Sequence, residues 1–328
     1  MHRLQVGVVL FIAGALSAPA YAGMLEAYAG VVAGNNSSCQ DFGPPATMGA
    51  FFGALTYGIG NVGNGISDCG FAGSASDIIL PAGPGPASST VSLNPTSFNG
   101  GADTYSGAGT ATAQYGSVSA GASGTLTGNA AGGTAESVGY AIASDTMTFN
   151  PGSPAGTTGY VVLQYTINSI LTLSASAVGL AEVNVQLGSF SPQTIFYAGN
   201  GGVGLFVHGY GGSSVSGCVT GADSYTCTNG VIATSMLPVT FNTATAVDFG
   251  FYAGVDGGGM IDPSISLTGI TLYNASQQVI SNFTITSGSG TLYGADGVES
   301  SPEPSTFLLA AGALTALAWT RRVRRKRV

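Results

Sequence analysis

Between Gly23 and Ser300 the sequence contains no lysine and no arginine. That absence excludes Lys or Arg ion pairs inside the stretch and removes the cationic patch that a phosphate backbone needs. Nucleic acid is therefore excluded as its partner, and phosphate or carboxylate substrates would meet no cationic clamp there. Tryptophan is also scarce, since the single one, Trp319, stands near the C-terminal end. Charged residues make up only 7% of the chain, against about 25% in an ordinary soluble domain. Cytosolic enzymes and coiled coils are poor fits to that composition.

What is present is glycine, 53 residues of 328, and a hydrophobic share of 45%. Glycine and proline together reach about a fifth of the chain, below the roughly 25–30% of low-complexity disorder. The length allows one to three domains and a sizeable core. The net charge of −8 conceals a segregation. Fourteen of the fifteen acids lie between Gly23 and Ser300, while all seven basic residues sit at the two ends. An acidic secreted protein would have this balance, and so would a surface tuned to bind divalent cations or to avoid polyanions.

Residues 1–22 read as a secretory signal peptide. His2 and Arg3 make a short positive start, Val6 to Leu16 is mostly apolar, and Ala20-Tyr21-Ala22 places small residues where a signal peptidase reads them. Cleavage is expected before Gly23. At the other end Pro302-Glu303-Pro304 precedes a 13-residue apolar run, Phe307 to Trp319, and then six basic residues between Arg321 and Arg327. The prolines keep the chain extended and accessible. The run is short of the roughly 20 residues of a full crossing, and the basic cluster would hold it at the cytoplasmic side.

The tripeptide, short helix and arginine cluster, in that order over 301–328, resemble the PEP-CTERM sorting signal of Gram-negative and related bacteria. The resemblance implies an exosortase-type processing enzyme as partner, transient membrane insertion of the C-terminal helix, a cell-surface or extracellular destination and a link to exopolysaccharide or biofilm. Ser264–Tyr273 and Ser281–Gly290 are similar to the strand pair that precedes the signal in many such proteins. The bodies of that family are diverse, so no activity transfers.

The body, 23–300, is expected to form one all-β domain, an antiparallel β-sandwich or jelly roll. Short β-branched and aromatic runs recur between Gly, Pro, Asn and Ser clusters. Candidate strands are Thr146–Asn150, Gly159–Ser174, Glu182–Leu187, Thr194–Ala198, Val203–His208, Leu237–Phe241, Ala246–Ala253, Ile265–Tyr273 and Val279–Thr286. The stretch Asn99–Gly139 is mostly Gly, Ala, Ser and Thr, and reads equally as a flat edge or a long mobile loop. Gly83-Pro-Gly-Pro86 is a local breaker.

Four cysteines, Cys39, Cys69, Cys218 and Cys227, in an exported chain favour disulfides. Three pairings exist, and the sequence-local one joins Cys39 to Cys69 and Cys218 to Cys227. Zinc lacks cysteine pairs at structural spacing.

Catalytic signals are weak. His208 is the one histidine outside the leader and reads as structural, and no Gly-x-Ser-x-Gly elbow occurs. Gly58-Ile-Gly-Asn-Val-Gly63 matches the dinucleotide fingerprint without a following helix. Asp248, Asp256 and Asp262, and more loosely Glu182 and Asp145, are the carboxylates a glycosidase would draw on. Asp256-Gly-Gly-Gly-Met-Ile-Asp262 offers oxygen ligands for calcium, although a connecting turn is the simpler reading. No cofactor is expected and no catalytic residue is assigned. Tyr197, Tyr210, Tyr225 and Tyr252 are candidates for stacking on sugars, with the core the expected fate of most. The leading expectation is a non-enzymatic exported surface or matrix protein. A carbohydrate-binding module and a glycan-active hydrolase are the alternatives.

Overall fold

The computed structural model describes residues 23–35, 69–79, 86–128, 133–174, 177–190, 193–200, 205–208, 214–221 and 224–299. The expected leader with Ala20 and Ala22, the expected sorting motif Pro302, Glu303 and Pro304, the expected C-terminal helix, Cys39, Tyr210 and the 58–63 fingerprint match lie outside the described residues. In chain order the first strands are β1 (Met24–Asn35), β2 (Cys69–Ile79), β3 (Ala87–Phe98), β4 (Asp103–Gln114), β5 (Ser117–Thr127), β6 (Gly133–Asn150) and β7 (Thr158–Leu173). Then come β8 (Val178–Leu187), β9 (Gln193–Asn200), β10 (Leu205–His208), β11 (Ser214–Thr220), β12 (Ser224–Ala233), β13 (Leu237–Thr240) and β14 (Ala244–Asp256). The last are β15 (Gly259–Asn274), β16 (Val279–Ile280), β17 (Thr284–Ser287), β18 (Tyr293–Gly294) and β19 (Gly297–Val298).

The strands form an antiparallel β-sandwich, as the sequence predicts. One sheet of eight strands runs β10-β9-β8-β14-β6-β1-β2, with β17 pairing β6 beyond the end of β1. The facing sheet of nine runs β11-β12-β7-β15-β5-β4-β3, with β13 continuing β12 along β7 and β16 pairing the far end of β15. Strand β7 shows the simplest cause. Val161, Leu163, Tyr165, Ile167, Leu171 and Leu173 are buried, while Gln164, Asn168, Ile170 and Thr172 between them are exposed. A period of two puts one set in the core and the other in water. The apolar set meets Val183, Val185, Phe249, Phe251 and Val255 from the eight-stranded sheet.

The described part of the Gly/Ala-rich stretch is mostly strand, β4, β5 and the start of β6, rather than a long mobile loop. Their small residues let the two sheets touch through their backbones. A side chain at Gly109 would meet the Val138 carbonyl and the Gly30 backbone, and one at Gly139 would meet backbone atoms of Thr110 and Gly121. Larger residues would hold the layers at the usual separation of about 10 Å.

A second difference concerns the two segments expected as a strand pair before the C-terminal motif, which do not pair with each other. Ile265–Tyr273 lies in β15 of the nine-stranded sheet, whereas β17 pairs β6 in the other. The chain crosses between layers there and is fastened by Asp145. Its carboxylate accepts from the Ser289 amide (3.0 Å), the Ser289 hydroxyl, the Tyr293 hydroxyl (2.9 Å) and the Thr146 amide (2.7 Å). A buried carboxylate needs such donors where no cation is present. Asp145 is thus a structural node that ties the crossing segment to β6.

Cys218 and Cys227 stand opposite one another on β11 and β12 and form a disulfide. Cys69 opens β2, and its relation to Cys39 lies outside the described residues. Among the described residues no helix is long and apolar enough to cross a membrane.

Candidate functional site

The outer faces of the two sheets differ. That of the nine-stranded sheet is wet, as β7 shows. That of the eight-stranded sheet carries Glu26, Tyr28, Val32, Tyr140, Glu182, Asn184 and Tyr252, and all of them are buried. Both faces of β8 and β14 are therefore apolar-lined or enclosed, and neither strand alternates.

Strand register aligns this face into rows. Tyr28 stands opposite Tyr140, Tyr140 opposite Tyr252, Tyr252 opposite Glu182, Glu182 opposite Tyr197, and Tyr197 opposite His208. The first three rings contact one another in sequence at tilted angles, with centroids 5.9 Å apart for Tyr28–Tyr140 and 4.6 Å for Tyr140–Tyr252. With Val138, Ile142 and Leu180 they make an apolar cluster separate from the main core. Three of these strands share a Tyr-Ala-Gly triplet, at 28–30, 197–199 and 252–254. In two of them the ring leans along its strand over the glycine two residues on. A side chain at Gly254 would strike the Tyr252 hydroxyl, and one at Gly30 would lie 3.0 Å from the Tyr28 hydroxyl. Glycine leaves the space that the tyrosine fills.

Glu182 is fully buried beside this row. Its Oε1 accepts from the Thr194 hydroxyl at 3.1 Å, and its Oε2 finds no hydrogen-bond partner. Burial pushes its carboxyl up to about 7, against the smaller opposing pull of Asn184 and Thr194. Burial likewise raises Asp248, offset in part by the Ser144 hydroxyl. Tyr28 is pushed up to about 12 by burial, with Glu136 adding to it.

Two rows further along, Glu136 on β6 stands directly opposite Asp256 on β14. Directly opposed residues bring their Cβ atoms within about 4.5–5.5 Å. The two carboxylates line an open pocket of about 70 Å³ with Tyr252, Leu180, Val178, Gly179 and Gly254.

No protein-family model matches the chain, and no curated protein matches it. Among solved structures it is similar to the family 11 xylanase from Neocallimastix patriciarum. The identity is 11% over 57% of this chain and 100% of that one, with a TM-score of 0.21. It is also similar to the KRT10-binding region domain of the pneumococcal serine rich repeat protein PsrP, at 11% identity over 66% of this chain and 99% of that one. The TM-score there is 0.14. Likenesses of that size carry no argument about function.

The structure separates the carboxylates that the sequence grouped. Asp248 and Asp256 share the outer face, but Asp256 closes β14 and Asp248 lies eight residues before it, roughly 26 Å away at strand spacing. Asp262 is exposed on β15 in the other sheet. Within the Asp256–Asp262 segment the crossover is Gly257-Gly258, held by Gly257 N–H to Ala135 O (2.7 Å) and Ser174 N–H to Gly258 O (2.8 Å), and Gly259 to Asp262 already belong to β15. Among the described residues no group of three or more His, Cys, Asp or Glu is placed to hold a metal ion. Of the tyrosines offered for stacking, Tyr225 is buried in the main core with its hydroxyl on Ser169, and Tyr252 is buried in the outer cluster. The sequence reading missed Glu136, Tyr28 and Tyr140. The repeated Tyr-Ala-Gly triplet was the signal that could have found part of the row.

Proposed function

We propose that the chain is an exported, non-enzymatic surface or extracellular-matrix protein, sorted through a C-terminal signal of the PEP-CTERM type. The Cys218–Cys227 bridge carries the reading, because such a bond persists in oxidising compartments. It sits in a β-sandwich whose sequence has no Lys or Arg from Gly23 to Ser300. The intact mass of the protein purified from its native host tests this. Loss of 1–22 and of the stretch after the Pro302-Glu303-Pro304 motif is the expected result. A reduced chain recovered from the cytosol, uncut at both ends, overturns it.

The pocket favours a second, compatible reading, binding of neutral polysaccharide. Glu136 and Asp256 offer acceptors for sugar hydroxyls, Leu180 and Val178 an apolar wall, and the acidic body repels anionic ligands. Binding to a purified polysaccharide panel, with and without calcium, should fall at least tenfold in the Glu136→Gln, Asp256→Asn double variant. Unchanged binding removes the pocket from this reading. Two carboxylates across a cleft are also what glycoside hydrolysis requires, so release of reducing ends from the same panel would replace the non-enzymatic assignment.

A further inference from the structure

Gly23, the residue expected to begin the chain once the leader is removed, is buried. It stands one place before Met24, which pairs with Ser144, so the continued register sets it opposite Asp145. The space around it is closed. A Cβ at Gly23 would strike the Ser144 carbonyl oxygen and lie 2.7 Å from Tyr115 Cε1 and 3.0 Å from the Tyr115 hydroxyl. A backbone oxygen cannot swing aside, so glycine is the residue that fits.

Two polar groups meet at this end of the interior. Tyr115, in the turn between β4 and β5, is 6% exposed, and its hydroxyl has no hydrogen-bond partner. Burial pushes it up to about 12, and the charge of Asp145 adds to the rise. Asp145 is buried too, and the amide and hydroxyl donors that hold its carboxylate are all neutral. Tyr293, one of those donors, is raised by burial and then by Asp145. Asp248 pairs with the neighbouring Ser144 but belongs to the outer face of the sheet. A buried carboxylate beside an unmet hydroxyl favours a cation. No lysine or arginine between Gly23 and Ser300 can supply one.

We propose that Asp145 and Tyr115 form a seat for the chain's own α-ammonium group, created when the Ala22–Gly23 bond is cut. The inference rests on the export reading above. Hydrolysis of that bond consumes water, leaves a carboxylate on Ala22 and frees the Gly23 nitrogen as an amine, which takes up a proton near neutral pH. In the uncut chain the same nitrogen is an uncharged amide with one hydrogen. In the cut chain it carries a charge and three hydrogens for the Asp145 carboxylate and the Tyr115 hydroxyl. Asp145 is desolvated in both forms, so that cost is common to them, and the added attraction is stability gained on processing.

Two chains complete to Val328 test this, one beginning at Gly23 and one at Ala22, so the result does not depend on where the native host cuts. In urea denaturation at neutral pH the folding equilibrium constant should be about tenfold larger for the Gly23 chain. The folded Gly23 amine should be acylated about tenfold more slowly than the Ala22 amine, and the unfolded chains should react alike. Lys326 is the only other amine in the sequence, and peptide mapping separates it. An α-amine ordinarily titrates at about 7.7–8.0, and the seat raises that value in the folded chain. The advantage should therefore be full below about pH 8 and lost as pH rises through the folded amine's titration, while Tyr115 and Tyr293 stay neutral. Nα-acetylation of the Gly23 chain should abolish it, and Asp145→Asn should bring the two chains level.

Equal stability, or equal amine reactivity, of the folded Gly23 and Ala22 chains overturns the proposal. So does an advantage that survives acetylation, Asp145→Asn or a pH of about 10.5, since its cause would then be steric. A native N-terminus other than Gly23 fails the export reading instead, and the two defined chains still report on the seat.

Discussion

Among the described residues, the Tyr165 hydroxyl and Glu182 Oε2 are buried polar atoms without a hydrogen-bond partner, and each makes a measurable statement about its residue. Tyr165 lies fully inside the main core with its ring 5.6 Å from that of Phe249, and its hydroxyl has no hydrogen bond. An unmet buried hydroxyl costs about 1–3 kcal/mol. Tyr165→Phe removes the hydroxyl and keeps the ring, so urea denaturation should show a gain of about 1 kcal/mol; a loss would mean that the hydroxyl is satisfied. Glu182 gives the second case. Its carboxyl stands near 7 when folded and about 4.3 when unfolded. Between those values the folded chain holds a proton that the unfolded chain has released, so stability falls as pH rises through the window. Below it both states are protonated, and above it both are ionised. The full difference is on the order of 3–4 kcal/mol. Glu182→Gln should match wild type near pH 4 and melt higher near pH 8. Equal pH slopes for the two proteins would remove Glu182 as the source.

At the scale of strands, small residues and tethers decide the layout. Gly139→Ala would drive a methyl group into backbone atoms of Thr110 and Gly121. Backbone cannot swing aside as a flexible side chain can, so a loss of about 2–4 kcal/mol is expected in the same denaturation measurement. A neutral result would show that the layers part easily. Removing the β11–β12 tether in the Cys218→Ser, Cys227→Ser double variant should cost about 2.5 kcal/mol for so short a loop. The same physics explains which elements could be read in advance. β7 and β15 have one core face and one more exposed face, and their alternation is visible in the letters. β4 and β5 could not be recognised, because apart from Tyr105, Val118 and Leu126 their inward apolar positions are Gly and Ala, fitted to the approach of the other sheet. β8 and β14 carry buried residues on both faces, which erases the period of two. Asp256 drew attention as an acid, but its partner Glu136 lies far upstream, and only strand register reveals the pair. Register is a long-range property, and a single sequence does not display it.

For the whole molecule the governing fact is uncompensated charge. From Gly23 to Ser300 there are fourteen acids and no lysine or arginine, so electrostatics between side chains there is dominated by repulsion among ionised carboxylates. Ordinary proteins mix signs, and salt then weakens attraction as well as repulsion. Here salt has chiefly repulsion to screen. Trypsin provides the material for the measurement. It finds no Lys or Arg between residue 4 and residue 320, so digestion trims both basic ends and leaves the acidic body in one piece even after reduction and unfolding. A ladder of internal tryptic fragments would contradict the sequence itself. The trimmed body at pH 7 should melt at a higher temperature as sodium chloride rises from about 20 to 300 mM, where the Debye length falls from roughly 20 Å to 6 Å. At a pH low enough to protonate most carboxylates the repulsion is gone, and the same salt series should leave the melting temperature nearly flat. A melting temperature that drops with salt at pH 7 would require attractive pairs, and this stretch has no lysine or arginine from which to build them.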